Sequence, residues 1–184
     1  MKRRYIKYYN MKGFESDMIV YGWDLMLFMD DTGESPSGWR IFGKKDGQTR
    51  EIFIAGNSRG YFRVLFPFKK GEQQRECPLH KLIYAYYCGW RSLDIMAGQN
   101  IHHIDRNKKN NDIENLVALT AKEHTVVHYL DALTARGVEI TQEIFDEYQE
   151  RSKKILLRAC AIKENTIKAR GRVVKKVSDI IWED

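Results

Sequence analysis

Four of the five histidines in this 184-residue sequence lie within residues 102–128, and their spacing fits metal binding. His124 and His128 are four residues apart, so on a helix both imidazoles lie on one face and can reach a single ion. His102 and His103 are adjacent in "NIHHI", a stretch of β character, so on a strand their side chains point to opposite faces. One of these two can complete a three-histidine site, while the other faces a substrate.

Three nitrogen ligands are typical of a catalytic metal site, because they leave one coordination position open. A structural zinc site takes four ligands and has no use for a further imidazole set beside them. The three cysteines, Cys77, Cys88 and Cys160, are widely spaced and include no C-x-x-C pair. That spacing argues against a cysteine-based zinc knuckle and against a disulfide framework. The sequence therefore favours a catalytic metal site built from histidines.

A strand, a polar loop, a second strand and a helix must position these histidines. Thr120 and Glu123 have the spacing of a capping box, so we expect a helix to begin at Ala121. The runs "NIHHI" and "NLVAL" have β character and flank a loop rich in Asp and Asn. We expect the loop side chains to hydrogen bond to the backbone rather than to do chemistry, and they are Asp105, Asn107, Asn110 and Asn111.

The residues before this segment predict a β-rich region followed by a helix. The apolar run 18–29 fits a buried strand or a short helix, and "REIFIAG" and "GYFRVLFPF" predict a hairpin joined by a Gly-Asn turn. "PLHKLIYAYYCGW" predicts a helix that begins near Pro78 and ends at Gly89. Its stripe of Leu79, Leu82, Ile83 and Tyr86 is interpreted as core. His80, at the start of this helix, is interpreted as a structural histidine.

A long helical pattern follows Gly137, with Thr141 as its expected N-cap. The apolar positions Tyr148, Ile155 and Ile162 recur every seven residues, which fits a helix that docks on the body of the protein or on a partner. A homodimer through this helix is therefore one prediction. Because all four clustered histidines precede it, we also expect the arm from about Gly137 onward to be dispensable for chemistry but not for tight or specific binding.

Composition indicates a folded protein with an anionic partner. The net charge is +6, from 31 Lys and Arg against 25 Asp and Glu, with the basic residues in clusters, which favours a polyanion. A hydrophobic content of 43% excludes disorder as the overall state. The basic N-terminus is not followed by an uninterrupted apolar segment, and the run 18–29 is too short to span a bilayer. We expect a cytoplasmic protein without a membrane partner.

The stretch "IHHIDRNKKNNDIENLVALTAKEHTVVH" resembles the ββα-metal motif of HNH endonucleases. The preceding "PLHKLIYAYYCGW" is similar to the "H-R-L-V-x-x-A" helix that precedes the motif in phage and homing HNH nucleases. The resemblance covers roughly residues 60–130 and is specific over 101–128. It implies that His103 is the general base that activates water and that Asn115 tethers the loop, so that His103 is held in orientation. It also implies that the metal ligands are His102, His124 and His128.

The resemblance implies one divalent metal ion, and the ligand types bear on which ion. Many homing-type members have Asp at the position of His102 and Asn at a later ligand position, and they prefer Mg²⁺. The imidazoles of this chain are closer to the nuclease-toxin form, so Zn, Ni or Mn is favoured over Mg.

The cation that clamps the phosphate is left open by the resemblance. Lys81 stands where Arg is usual in the family, so the candidates are Lys81, Arg91 and Arg106. Lys108 and Lys109 in the polar loop are expected to contact DNA phosphates as well.

Taken together, these features predict an α+β protein with a ββα-metal (His-Me finger) catalytic core. The predicted regions are an N-terminal β-rich region (1–76), an HNH nuclease core (77–136) and a helical C-terminal arm (137–184). The predicted function is metal-dependent endonuclease activity on double-stranded DNA, and the resemblance implies a phage or bacterial host cell as its setting. The alternatives are a non-catalytic DNA-binding module with a structural metal, and a toxin-type nuclease with an immunity partner.

Overall fold

The computed structural model describes residues 16, 18–67, 73–88, 98–171 and 175–180. Six strands come first, followed by a helix, two further strands and three α-helices, which confirms a mixed α/β protein. The strands are β1 (Met18–Val20), β2 (Trp23–Met29), β3 (Trp39–Lys45), β4 (Gln48–Gly56), β5 (Phe62–Leu65), β6 (Glu76–Pro78), β7 (Gln99–His103) and β8 (Leu116–Thr120). The α-helices are α1 (Leu79–Tyr87), α2 (Ala121–Val127), α3 (Tyr129–Ala135) and α4 (Gln142–Arg170).

The first six strands form one antiparallel meander in the order β1-β2-β3-β4-β5-β6. The predicted hairpin is present as β4 and β5, with Ile54 opposite Val64. The turn between β3 and β4 is Asp46-Gly47, both at positive φ, which is the backbone that a two-residue hairpin requires. The run 18–29 forms strands rather than a short helix.

One hydrophobic core joins this sheet to the histidine-bearing segment. The stripe of α1 predicted to be core is buried, and Leu79, Leu82 and Ile83 are fully inaccessible to solvent. The same cluster contains Ile41 of the sheet and Leu116 of β8. The sheet and the β7–β8 hairpin are therefore held together by shared apolar burial.

The segment 99–127 forms two antiparallel strands followed by a helix. β7 pairs with β8, with His102 opposite Val117 and His103 opposite Leu116. α2 begins at Ala121, as predicted, because Thr120 and Glu123 form the expected capping box. A 3-10 turn at Ile113–Asn115 leads from the polar loop into β8.

The long helix α4 docks on the body of the protein. Thr141 caps its first turn and Gly171, at φ +60°, ends it, both as standard capping chemistry requires. Of the predicted apolar stripe, Tyr148 stacks on Tyr129 at 4.1 Å between ring centroids, and Ile155 packs on the cluster around β8 and α2. Ile162 is 58% exposed. Homodimerisation through this helix stays a prediction, and two of the three stripe residues already pack within the chain.

The segment that follows α4 returns to the sheet. The Met29 amide donates to the Lys175 carbonyl at 2.8 Å, and Val177 packs on Met26, Phe28 and Phe42 on the face of the sheet opposite α1. The three regions named from the sequence thus pack against one another, and their division into separate domains stays a prediction. Among the described residues, no helix is both long and apolar enough to cross a membrane.

Candidate active site

Three histidines converge: His102 from β7, His124 from α2 and His128 from the junction between α2 and α3. The ring centroids of His102, His124 and His128 lie 4.6 to 5.6 Å apart, and one potential ligand atom from each lies within 4.8 Å of the others. His102 Nδ1 and His128 Nε2 are 3.1 Å apart, close to the distance of about 3.3 Å between two nitrogens bound to one tetrahedral ion at about 2.0–2.1 Å. Of the two alternatives for the third nitrogen, the structure places His102 with the helical pair.

The donor chemistry of this cluster fits a divalent transition-metal ion. Burial, and then the neighbouring imidazoles His128 and His124, lowers the pKa of His102 to about 4. Burial also lowers the pKa of His124 below its usual value, with His128 as the second cause. These two imidazoles are neutral near pH 7, so each has a lone pair to offer. Three nitrogen donors suit Zn²⁺ or Ni²⁺ better than Mg²⁺, which prefers oxygen ligands.

Asp131 contacts one histidine of this cluster, His128, on the side away from the other two. Its Oδ2 lies 3.0 Å from His128 Nδ1, and its Oδ1 accepts a 2.7 Å hydrogen bond from Arg106. The hydrogen bond with His128 is the first cause that lowers the pKa of Asp131. A carboxylate on Nδ1–H leaves Nε2 free to face the cluster, as is usual for metal-binding histidines. Sequence reasoning missed Asp131, although its position three residues after His128 was an available signal.

His103 faces away from the three-histidine cluster. It is 5% exposed, and its Nε2 lies 3.2 Å from Asn111 Oδ1. Asn111 Nδ2 donates to the Lys109 carbonyl, so its Oδ1 is turned toward the imidazole and accepts from Nε2–H. Within the described part of the chain, Nδ1 of His103 has no hydrogen-bond partner. Burial lowers the pKa of His103, so the ring is a neutral proton acceptor with an available nitrogen.

Asn115 ties together the loop that follows His103. Its Oδ1 accepts from the Asp105 amide at 2.9 Å, and its Nδ2 donates to Asp105 Oδ1 and to the Asn110 carbonyl, both at 2.8 Å. Asp105 also accepts from the Asn107 amide at 2.7 Å. The loop is thus built by Asp and Asn side chains, as expected, and Asn115 lies where a tether is needed.

Two aromatic rings beside His103 were not expected to be there. His80, interpreted from the sequence as structural, has its ring centroid 5.1 Å from that of His103. Tyr61 lies between β4 and β5, with its centroid 5.3 Å from His80 and 6.0 Å from His103. No local pattern could have indicated Tyr61, because tertiary packing alone brings it to the site.

The predicted DNA-binding cations that the structure describes differ in exposure and in their partners. Lys108 and Lys109 are exposed in the polar loop, and Lys108 Nζ lies 4.8 Å from the centroid of Tyr61. Arg106 is engaged with Asp131 in an exposed ion pair. Lys81 is half-buried on α1, and Arg91 lies outside the described residues.

The comparison with known proteins matches the segment that carries the histidines. Residues 77–126 match a family described as HNH endonuclease. A relative from Bacillus subtilis (strain 168), named SPbeta prophage-derived putative HNH homing endonuclease YosQ, is 35% identical over 86 residues. That alignment covers 47% of this chain and 46% of the relative, so the chain matches less than half of the relative's length.

The solved structure of the HNH homing endonuclease I-HmuI aligns over 78% of this chain and 67% of its own chain. The identity is 19% and the TM-score is 0.35, which is too low to bear on fold or function. Residues 77–126 of this chain are thus similar to HNH endonucleases, in the segment where the sequence predicted the resemblance.

Proposed function

We propose that this chain is a metal-dependent endonuclease that hydrolyses phosphodiester bonds in double-stranded DNA. The observation that carries the proposal is the separation of the two neighbouring histidines on β7. His102 lies with His124 and His128, while His103 lies on the other face against Asn111. This separation provides a metal site and a general base on either side of one strand. The family match over residues 77–126 supports it.

The proposed proton acceptor is Nδ1 of His103. Asn111 accepts from Nε2–H, which holds the ring in the tautomer whose Nδ1 lone pair takes a proton from the attacking water. As the water oxygen bonds to phosphorus, the bond to the leaving oxygen breaks. A divalent ion held by His102, His124 and His128 would act as a Lewis acid and relieve the charge that develops on the leaving oxygen. Asn115 would hold the loop that carries Asn111.

Phosphate contacts would come from the polar loop. Lys108 and Lys109 are exposed within a few residues of His103, and phosphate contacts from such cations position a protein on DNA. Arg106 is less available, because Asp131 already engages it.

The test is nicking of supercoiled plasmid by the purified full chain with a panel of divalent ions. His103→Ala should keep its metal while cleavage falls by about 10²–10⁴-fold, the usual contribution of a positioned general base. His124→Ala, His128→Ala and His102→Ala should lower metal content and cleavage together. Thr125→Ala, an exposed change on the same helix, should match the parent.

The contrary outcomes are distinct. If His103→Ala loses its metal and His102→Ala keeps it, the two roles are reversed. If the parent binds DNA but no ion supports nicking, the endonuclease proposal is wrong and a non-catalytic DNA-binding module takes its place. Cleavage without sequence preference, blocked by a separately encoded inhibitor, would favour the toxin-type alternative.

A further inference from the structure

We propose that His80 is a positioning residue, whose ring holds the imidazole of His103 in the plane that directs Nδ1 toward the attacking water. Tyr61 would form the second part of the same support. The inference rests on the proposed role of His103 as general base. It assigns a function to a histidine that the proposed reaction does not otherwise use.

One hydrogen bond does not define the plane of a ring such as that of His103. Within the described residues, the side chain of His103 makes one hydrogen bond, to Asn111 at 3.2 Å. An imidazole held at one atom can still tilt about that contact. The rings of His80 and Tyr61 supply the missing restraint, because they pack against His103 at centroid distances of 5.1 and 6.0 Å. The His80 contact is edge-to-face at 63° between planes, a geometry that aromatic rings favour.

His80 differs from an ordinary structural histidine. Buried histidines normally join elements through hydrogen bonds. His80 is 7% exposed, and its buried Nδ1 has no hydrogen-bond partner among the described residues. The contacts that His80 does make in that part of the chain include those of its ring with His103 and Tyr61.

The ring of His80 is uncharged at neutral pH. Burial, followed by the proximity of His103 and then of Lys81, lowers the pKa of His80 to about 3. The ring stays neutral at any pH where the chain would function. It can therefore contact His103 closely without repelling the positive charge that His103 acquires on accepting a proton, and it does not compete as a base.

Tyr61 is itself held in place by two contacts. Its amide donates to Asn57 Oδ1 at 3.0 Å, which organises the turn between β4 and β5. Lys108 Nζ lies 4.8 Å from the centroid of the Tyr61 ring, at cation–π distance. The turn of the N-terminal sheet is thus connected to the loop that follows His103. A residue outside the matched segment 77–126 then contributes to the site inside it.

The experiment uses the full chain and two matched pairs of variants. His80→Ala removes the ring and His80→Phe keeps one, while Tyr61→Leu removes the ring and Tyr61→Phe keeps it. We expect kcat for plasmid nicking to fall by about 10–100-fold in His80→Ala and less in Tyr61→Leu, since small misplacements of reacting groups cost about 10²-fold. KM for DNA and metal content should stay near the parent, while the loss of a buried ring should lower the melting temperature of His80→Ala, so nicking is measured well below that temperature. His80→Phe should recover most of the loss, and Tyr61→Phe should match the parent.

A second readout does not depend on cleavage. In ¹⁵N-labelled protein without DNA, NMR of the His103 ring should show one Nε2–H tautomer in the parent and in the ring-keeping variants. His80→Ala should instead show mixed or exchange-broadened tautomers. A parent that does not nick DNA would overturn the proposed function while leaving this measurement to decide on positioning.

Either of two results would overturn the positioning role. One is an unchanged kcat and an unchanged His103 spectrum in His80→Ala. The other is a His80→Phe variant that is as impaired as His80→Ala, which would mean that a nitrogen of His80 is required. If His80→Ala does not fold, the Tyr61 pair decides by the same two readouts, because Tyr61 is only half-buried at a turn.

Discussion

At the scale of single residues, the site separates its histidines by what their second nitrogen contacts. His128 has a carboxylate on Nδ1, from Asp131, and His103 has an amide oxygen on Nε2, from Asn111. A charged acceptor makes an imidazole a stronger donor to a metal, whereas a neutral amide fixes the tautomer without placing a charge beside the ring. The two contacts therefore suit the two proposed roles.

Asp131 offers a prediction at this scale. Asp131→Ala should weaken metal binding by about 10–100-fold, the usual effect of losing the partner of a ligating histidine. The reason is that His128 loses the acceptor that orients its ring. Affinity is measured by competition with a chromophoric chelator.

The control for Asp131 is Arg106→Ala. It removes the other partner of the carboxylate but leaves the contact with His128, so metal affinity should stay within about twofold of the parent, because an exposed ion pair contributes little. Equal losses in both variants would mean that the pair acts as one electrostatic unit, and the proposed role of Asp131 in orienting His128 would be wrong.

At the scale of elements, the loop between β7 and β8 depends on Asn115, which is 8% exposed and makes three hydrogen bonds. Asn115→Ala should lower the free energy of unfolding by about 1–3 kcal/mol for each buried group left unpaired. It should also lower cleavage, because the loop carries Asn111. Urea unfolding and plasmid nicking measure the two effects.

Asn107→Ala is the matched control for Asn115. Asn107 is exposed, and its Oδ1 accepts one hydrogen bond from the Lys109 amide at 3.1 Å. Its loss should change stability by less than about 1 kcal/mol, since water can replace the partner. Comparable losses in the two variants would show that the loop has no single tether.

The same elements show what could be predicted from the sequence. The capping box at Thr120 and the alternation of His102 and His103 depend on residues adjacent or nearly adjacent in the chain, and both were predicted correctly. The position of Tyr61 beside His103 depends on how the six-stranded sheet packs on α1, which no local pattern encodes. The sequence shows a histidine at the start of α1, but it does not indicate that His80 contacts His103, so it favours a structural role for His80.

At the scale of the whole molecule, the C-terminal arm is part of the fold. Ala159 packs with Val117, Leu119 and Val127 in one buried cluster. Lys163, 2% exposed, donates through Nζ to the carbonyls of Ile113 and Glu114 at 2.8 and 3.0 Å. These carbonyls immediately precede Asn115. The expectation that the arm is dispensable for chemistry therefore conflicts with its packing, because the arm supports the turn that leads into the tether.

The corresponding prediction is that a chain ending at Arg136 loses cooperative folding and nicking together, rather than only DNA affinity. Truncation exposes the apolar cluster around Val117 to water and removes both hydrogen bonds from Lys163 Nζ, to the carbonyls of Ile113 and Glu114. Because a truncation changes many contacts at once, a matched pair on α4 isolates the cause. Ala159→Asp places a charge in the buried cluster and should lower the melting temperature and cleavage, whereas Leu157→Asp, at a position that is 62% exposed, should change neither. A truncated chain that melts at the parent temperature and still nicks plasmid would show that the arm is an appendage after all.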